Sequence, residues 1–186
     1  MICGLDLPSY LVRAEEFHGH VSPGVVLGGF LLDAAWSRLG DTPYLNAVVE
    51  TMVCLPDAVQ MLTPCTLGNG FMQVLDWGKF ALTVYDRETL RGFRAWADRQ
   101  AIAQLPAIAG WFLRTGLGPA LPKDEVVQHI AAHGPELVGV APVSLPQALK
   151  SKEKVATGPC PQCGESYPLR FGPSCAACQG LAYYRG

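Results

Sequence analysis

Charge is scarce in this chain of 186 residues: Asp, Glu, Lys and Arg make up 16% of it, against 49% hydrophobic residues. Soluble domains carry about 25% charged residues, and the mean hydropathy here is +0.20. This excludes a disordered chain and implies a large apolar core or a subunit interface, so a homodimer is expected. Long apolar runs are missing too. Val25 to Leu32 stops at Asp33, and the stretch from Ala101 to Leu113 is broken by Gln104 and Pro106. Both fall short of the ~20 residues a bilayer demands, so no membrane partner is expected. Met1 to Tyr10 lacks a basic stretch leading into an apolar one, which argues against a secretory leader and for the cytoplasm. A concentrated basic face is also absent: residues 1–145 carry a net charge of −5 and residues 146–186 of +3. That balance speaks against nucleic acid as a partner. Neither an internal repeat nor a low-complexity tract is present.

Cysteine, by contrast, is present seven times. An odd count in a reducing compartment points to metal ligands or reactive thiols rather than a disulfide set. Cys160, Cys163, Cys175 and Cys178 form C-x2-C-x11-C-x2-C in a segment too small to fold on apolar burial alone. A tetrahedral thiolate site would supply the missing stabilisation, zinc before iron. Four thiolates leave no open coordination position, so the metal is structural. Pro161 and Gly164 fit the tight first turn, whereas Ala176, Ala177 and Gln179 offer no such glycine in the second.

Local patterning predicts helices over Tyr10 to Phe17, Val25 to Leu39 and Pro56 to Leu62, and a strand over Asn46 to Thr51. Phe71 to Leu75 and Lys79 to Tyr85 alternate in polarity around Asp76, Trp77 and Gly78, which reads as an antiparallel hairpin. Arg87 to Gln104 carries Leu90, Phe93, Ala97 and Ala101 at helical spacing, and helical stretches follow over Leu105 to Arg114 and Lys123 to His133. Leu137 to Val143 would return a strand to the sheet. The expected organisation is an α+β core over residues 1–145, with an antiparallel sheet flanked by helices. A linker over 146–158 and a treble-clef or zinc-ribbon-like four-cysteine module over 159–186 would follow.

His18 and His20 sit in a Gly and Pro turn, and Cys54 precedes Pro56 at the start of a predicted helix. There its sulfur would lie near unsatisfied N–H groups, a setting for a soft ligand or nucleophile. Along one straight helix Cys65 would lie roughly 16 Å from Cys54, too far to share an ion. The two share an ion only if the chain folds back at Thr63 and Pro64 or if a second subunit intervenes, and the alternative is that Cys65 is a small buried residue. Asp57 and Glu50 flank Cys54, and each is either a support for a histidine tautomer or a solvated charge. His129 and His133 have a ligand spacing on one helix face but lack a third ligand. Trp36, Trp77, Trp96 and Trp111 are read as core or interface residues.

These strings carry a family resemblance. Phe17-His18-Gly19-His20-x-x-Pro23-Gly24-x-x-x-Gly28, Glu50-Thr51-x-x-Cys54-x-x-Asp57-Ala58-Val59-Gln60, Thr63-x-Cys65-Thr66-x-Gly68-x-Gly70, Trp77-Gly78-Lys79 and the four-cysteine module resemble the FmdE family, which takes its name from molybdenum or tungsten formylmethanofuran dehydrogenase. The resemblance spans nearly the whole chain. It implies an α+β core with a cysteine and histidine cluster, a C-terminal zinc finger and a dimer. It points to Cys54 and His20 as catalytic, to His18, Asp57 and Cys65 as binding residues, and to a second divalent ion, zinc first, held by His18, His20 and Cys54. Two positions depart from the family pattern: Ser22 stands where a cysteine is usual and Asn69 where a lysine is. Two functional classes stay open, an enzyme acting at Cys54 and a non-enzymatic adaptor or maturation factor for a molybdenum or tungsten oxidoreductase.

Overall fold

Asp6 caps the first helix, α1 (Leu7–His18), by accepting the Ser9 N–H at 2.8 Å, and Gly19 ends it at φ +82°. Ser22 then caps α2 (Pro23–Leu39), its Oγ accepting the Val25 N–H at 3.1 Å. Val25, Val26, Leu27, Leu31, Leu32 and Ala35 of α2 are wholly buried. This helix is apolar nearly all round because it lies at the centre, against the sheet and two further helices, α3 (Leu55–Leu62) and α6 (Lys123–His133). The structure, a computed structural model, describes residues 1–114, 121–149 and 154–184. The chain divides into two compact units, Met1–Ser151 and Lys152–Gly186.

The sheet of the first unit has the order β2-β1-β3-β4-β5. Its strands are β1 (Leu45–Val49), β2 (Met72–Val74), β3 (Ala81–Asp86), β4 (Arg91–Ala97) and β5 (Val138–Ser144). All pairs are antiparallel except β1 with β2. Ala47, Val49, Leu82, Val84 and Ala95 form one core with the helices, and the intervening Val48, Glu50, Thr83, Tyr85 and Arg94 lie on the opposite face, as period-two strands require.

Two expectations are corrected here. The alternating segments around Trp77 do not form a hairpin with each other: β2 runs parallel to one edge of β1 and β3 antiparallel to its other edge. Residues 75–80 instead wrap the end of β1, with the N–H groups of Trp77 and Lys79 both donating to the Glu50 carbonyl. Alternation marks the buried face of a strand and says nothing of its partner. The middle of the helix expected over Arg87 to Gln104 is instead β4, paired with β3 through a turn in which Asp86 accepts from the Glu88 and Thr89 N–H groups. Helix formers are only weakly committed, and two flanking strands override them. The helix begins only at Asp98, which caps α4 (Arg99–Ala103); α5 (Pro106–Phe112) follows. β5 returns to the sheet, against β4.

In the second unit β6 (Thr157–Pro159) pairs antiparallel with β7 (Ser166–Pro168), and a helical turn, Ala177–Leu181, closes the segment. Among the described residues no helix is long and apolar enough to cross a membrane.

Candidate metal and thiol centres

The second unit gathers its four cysteines. The Sγ atoms of Cys160, Cys163, Cys175 and Cys178 all lie within 4.8 Å of one another. The Cys175 N–H points at the Cys160 sulfur at 3.4 Å, and Gly164, at φ +78°, closes the first turn by donating to the Cys160 carbonyl. In the second turn the equivalent bond, from the Gln179 N–H to the Cys175 carbonyl at 3.1 Å, is made without a glycine, and Gly180 follows at φ +96°. N–H groups of Cys175 and Cys163 draw the Cys160 thiol down to about 6, whereas neighbouring sulfurs, Cys175 first, push Cys178 up to about 12. Four thiols this close do not all ionise unless a cation neutralises them. The donor set and its packing therefore fit a tetrahedral structural metal, zinc by ligand type.

In the first unit, the turn between α1 and α2 meets the start of α3. Asp57 Oδ2 lies 2.7 Å from His18 Nδ1, and the Ser22 hydroxyl donates to the Cys54 sulfur at 3.6 Å. The rings of His18 and His20 lie side by side with centroids 4.9 Å apart and their planes tilted by 39°. His18 and Cys54 are half-buried and His20 is exposed. Cys54 is the pivot between strand and helix: at φ +55° and ψ −43° it centres a γ-turn closed by the Leu55 N–H on the Val53 carbonyl at 2.5 Å. Such a conformation is rare for a residue with a Cβ and presents the side chain at a sharp elbow. Gly24 makes room for it, since a Cβ there would stand 2.8 Å from the Cys54 sulfur. One turn on, a Cβ at Gly28 would stand 2.9 Å from that of Ala58, so two glycines let α3 lie directly on α2. Over the thiol opens a cavity of about 270 Å³ bounded by Thr51, Cys54, Phe80, Trp111, Phe112 and Arg114, among others.

Not every expected residue joins this centre. Cys65 does not: it is wholly buried, its thiol donates to the Leu45 carbonyl at 3.4 Å, and burial pushes its pKa up. Helix α3 runs unbroken from Leu55 to Leu62 between the two cysteines, and the extended Thr63 then carries Cys65 into the core beside β1. Glu50 supports no histidine. Its carboxylate, 4% exposed, is gripped by Arg94 through two hydrogen bonds of 2.6 and 2.7 Å. His133 pairs with Glu136 and His129 is exposed. Apart from the four cysteines, no group of three or more such ligands is assembled among the described residues. Arg94 and the aromatic wall of Trp111 and Phe112 do not stand out in the sequence. A charged Glu50 at the end of a β-branched run is the signal that a buried cation has to exist.

Residues 17–144 match the family model described as FmdE, molybdenum formylmethanofuran dehydrogenase operon, and residues 151–185 match the FmdE treble-clef zinc finger. A probable S-adenosyl-L-methionine-binding protein of Archaeoglobus fulgidus is 38% identical over 104 residues, which is 52% of this chain and 28% of that protein. The crystal structure of a tungsten formylmethanofuran dehydrogenase FmdE-like protein from Syntrophus aciditrophicus is 38% identical and superposes with a TM-score of 0.88, covering 100% of this chain and 98% of the other. With both modules matched in order and the fold shared along the whole chain, this protein belongs to the FmdE family and carries that family's C-terminal zinc finger.

Proposed function

We propose that the core centre binds a divalent ion, zinc first, through His18 Nε2, His20 and Cys54, beside the cavity over the thiol. The observation that carries this reading is the 2.7 Å contact of Asp57 with His18 Nδ1. A carboxylate on one ring nitrogen fixes the tautomer and offers the other nitrogen to a metal. Imidazole and thiolate together suit a borderline-soft cation. A bound ion of this kind supplies Lewis acidity toward a carbonyl or water. The chain's own part is positional: Asp57 orients His18, the γ-turn and Gly24 hold Cys54 in place, and the Ser22 hydroxyl donates to its sulfur. Metal analysis of the purified full chain tests it. More than one ion per chain is expected. His20→Ala should remove the core ion, and Asp57→Asn should weaken it by about 10- to 100-fold. A single ion per chain, lost only in Cys160→Ser, overturns the core site.

The second reading, a homodimeric adaptor for a molybdenum or tungsten oxidoreductase, is favoured by one feature of the zinc-finger unit. Leu169, Phe171, Leu181, Tyr183 and Tyr184 are 48–98% exposed, a concentration of apolar side chains typical of docking surfaces. Affinity capture from host lysate checks it. Recovery of such an oxidoreductase, lost with Phe171→Ser, is expected, and its absence refutes the adaptor.

A further inference from the structure

We propose that the cavity over Cys54 is a binding site for a planar conjugated anion, its ring held by Trp111 and Phe112 and its acidic group drawn to Arg114 and Lys79. The inference rests on the reading of Cys54 as the working centre of the core but not on the metal.

The shape comes first. The cavity of about 270 Å³ over Cys54 shares Phe80 and Phe112 with a second one of about 380 Å³ that adds Lys79, Arg94 and Trp96 to its walls. The first holds roughly nine waters' worth of liquid at ~30 Å³ each, the size of a one- or two-ring ligand and at the small end of ligand pockets. Its walls are fixed by packing: Phe80 and Phe112 meet edge to face at 5.6 Å, and Trp111 lies 6.0 Å from Phe112. Aromatic walls select a flat π-system over a saturated ring of equal area, because stacked and edge-to-face contacts add to simple burial.

Charge then sets the sign. The chain carries a net charge of −2, yet among the described residues no carboxylate lines either cavity, while three cations do. Arg94 is neutralised by Glu50. Lys79 and Arg114 form no ion pair among the described residues, so both remain available to an anion. A guanidinium on a rim suits a carboxylate or phosphate group through paired N–H donors. A cationic ligand would gain from the rings but meet two like charges. Cys54 borders the same space, so a ligand seated here lies against a nucleophilic thiol.

The experiment uses the full chain with the four-cysteine zinc in place and any core ion removed by a mild chelator, so that Cys54 is free to alkylate, and 2-naphthoate as the probe. Saturable protection of Cys54 from iodoacetamide, read by peptide mass spectrometry, and quenching of tryptophan fluorescence are expected. Cyclohexanecarboxylate, an anion without a π-face, should protect at least tenfold less well at equal concentration. The rim residue Arg114 is exposed, so Arg114→Gln should fold and weaken naphthoate by about tenfold while leaving neutral 2-naphthamide unchanged. Trp111→Phe should weaken both aromatic probes. Absence of saturable protection, equal protection by the saturated acid, or an unaltered naphthoate affinity in Arg114→Gln each overturns the proposal. Chelation of the core ion, or Cys54→Ser, leaves naphthoate quenching in place, so failure of the metal reading is distinguishable from failure of this one.

Discussion

Among the described residues one ion pair crosses the sheet, and Arg94→Met probes it. The Glu50 carboxylate is 4% exposed and both its oxygens are taken by Arg94, at 2.6 and 2.7 Å. Methionine keeps the apolar stem beside Trp96, where the guanidinium now sits 5.6 Å from the ring, but leaves a buried carboxylate uncompensated. Removing one partner of a fully buried pair costs about 3–5 kcal/mol. The Arg94 side chain is 29% exposed, so water relieves part of this and about 2–3 kcal/mol is expected. Urea unfolding followed by tryptophan fluorescence measures it on the right unit, because Trp36, Trp77, Trp96 and Trp111 all fall within Met1–Ser151. With a slope of about 2 kcal/mol per molar urea, the midpoint should fall by about 1–1.5 M. Neutralising the carboxylate as well, in Glu50→Gln/Arg94→Met, should restore most of that loss. A single-variant midpoint within about 0.2 M of the parent, or a double variant weaker than the single, would refute the reasoning.

Three further outcomes are expected. Gly28→Ala drives a Cβ to 2.9 Å from that of Ala58; overpacking of about 1–3 kcal/mol outweighs a helix-propensity gain of about 1 kcal/mol, and thermal unfolding should show a lower Tm that Ala58→Gly restores. Burial, and then the nearby Asp33, push the Cys3 thiol from 9.0 up to about 12. Iodoacetamide at pH 9 should therefore spare it in the folded chain and label it in guanidinium. Because the unfolded thiol ionises first, its contribution to stability is present below pH 9 and lost as pH rises toward about 12. Asp86 is held below its ordinary 3.8, first by the Thr42 hydroxyl and then by the Thr89 N–H. Its contribution is present above that value and lost as pH falls below it, so the gap between parent and Asp86→Asn in urea midpoints should shrink under acid and stay constant at neutral pH.

The sequence by itself determined what local chemistry determines. Four cysteines in C-x2-C-x11-C-x2-C announce a closed thiolate site because spacing and a glycine turn suffice to build it. Helix α2 was legible because burial on nearly every side of its first turns leaves the continuous apolar run Val25 to Leu32, and the FmdE strings mark the family without any geometry. Tertiary structure alone decided the rest. Strand alternation shows which residues are buried but not which strand lies alongside, so β2 and β3 came to flank β1 rather than pair with each other. Helix propensity in residues 87–97 yielded to cross-strand hydrogen bonding, and with it Arg94 moved from an imagined helix to the partner of Glu50. Asp57 meets His18 across 39 positions, and Cys54 reaches Ser22 across 32. Contacts at such range are set by how closely α3 can approach α2. That approach depends on two missing methyl groups, at Gly24 and Gly28, whose consequence is visible only once the helices are packed.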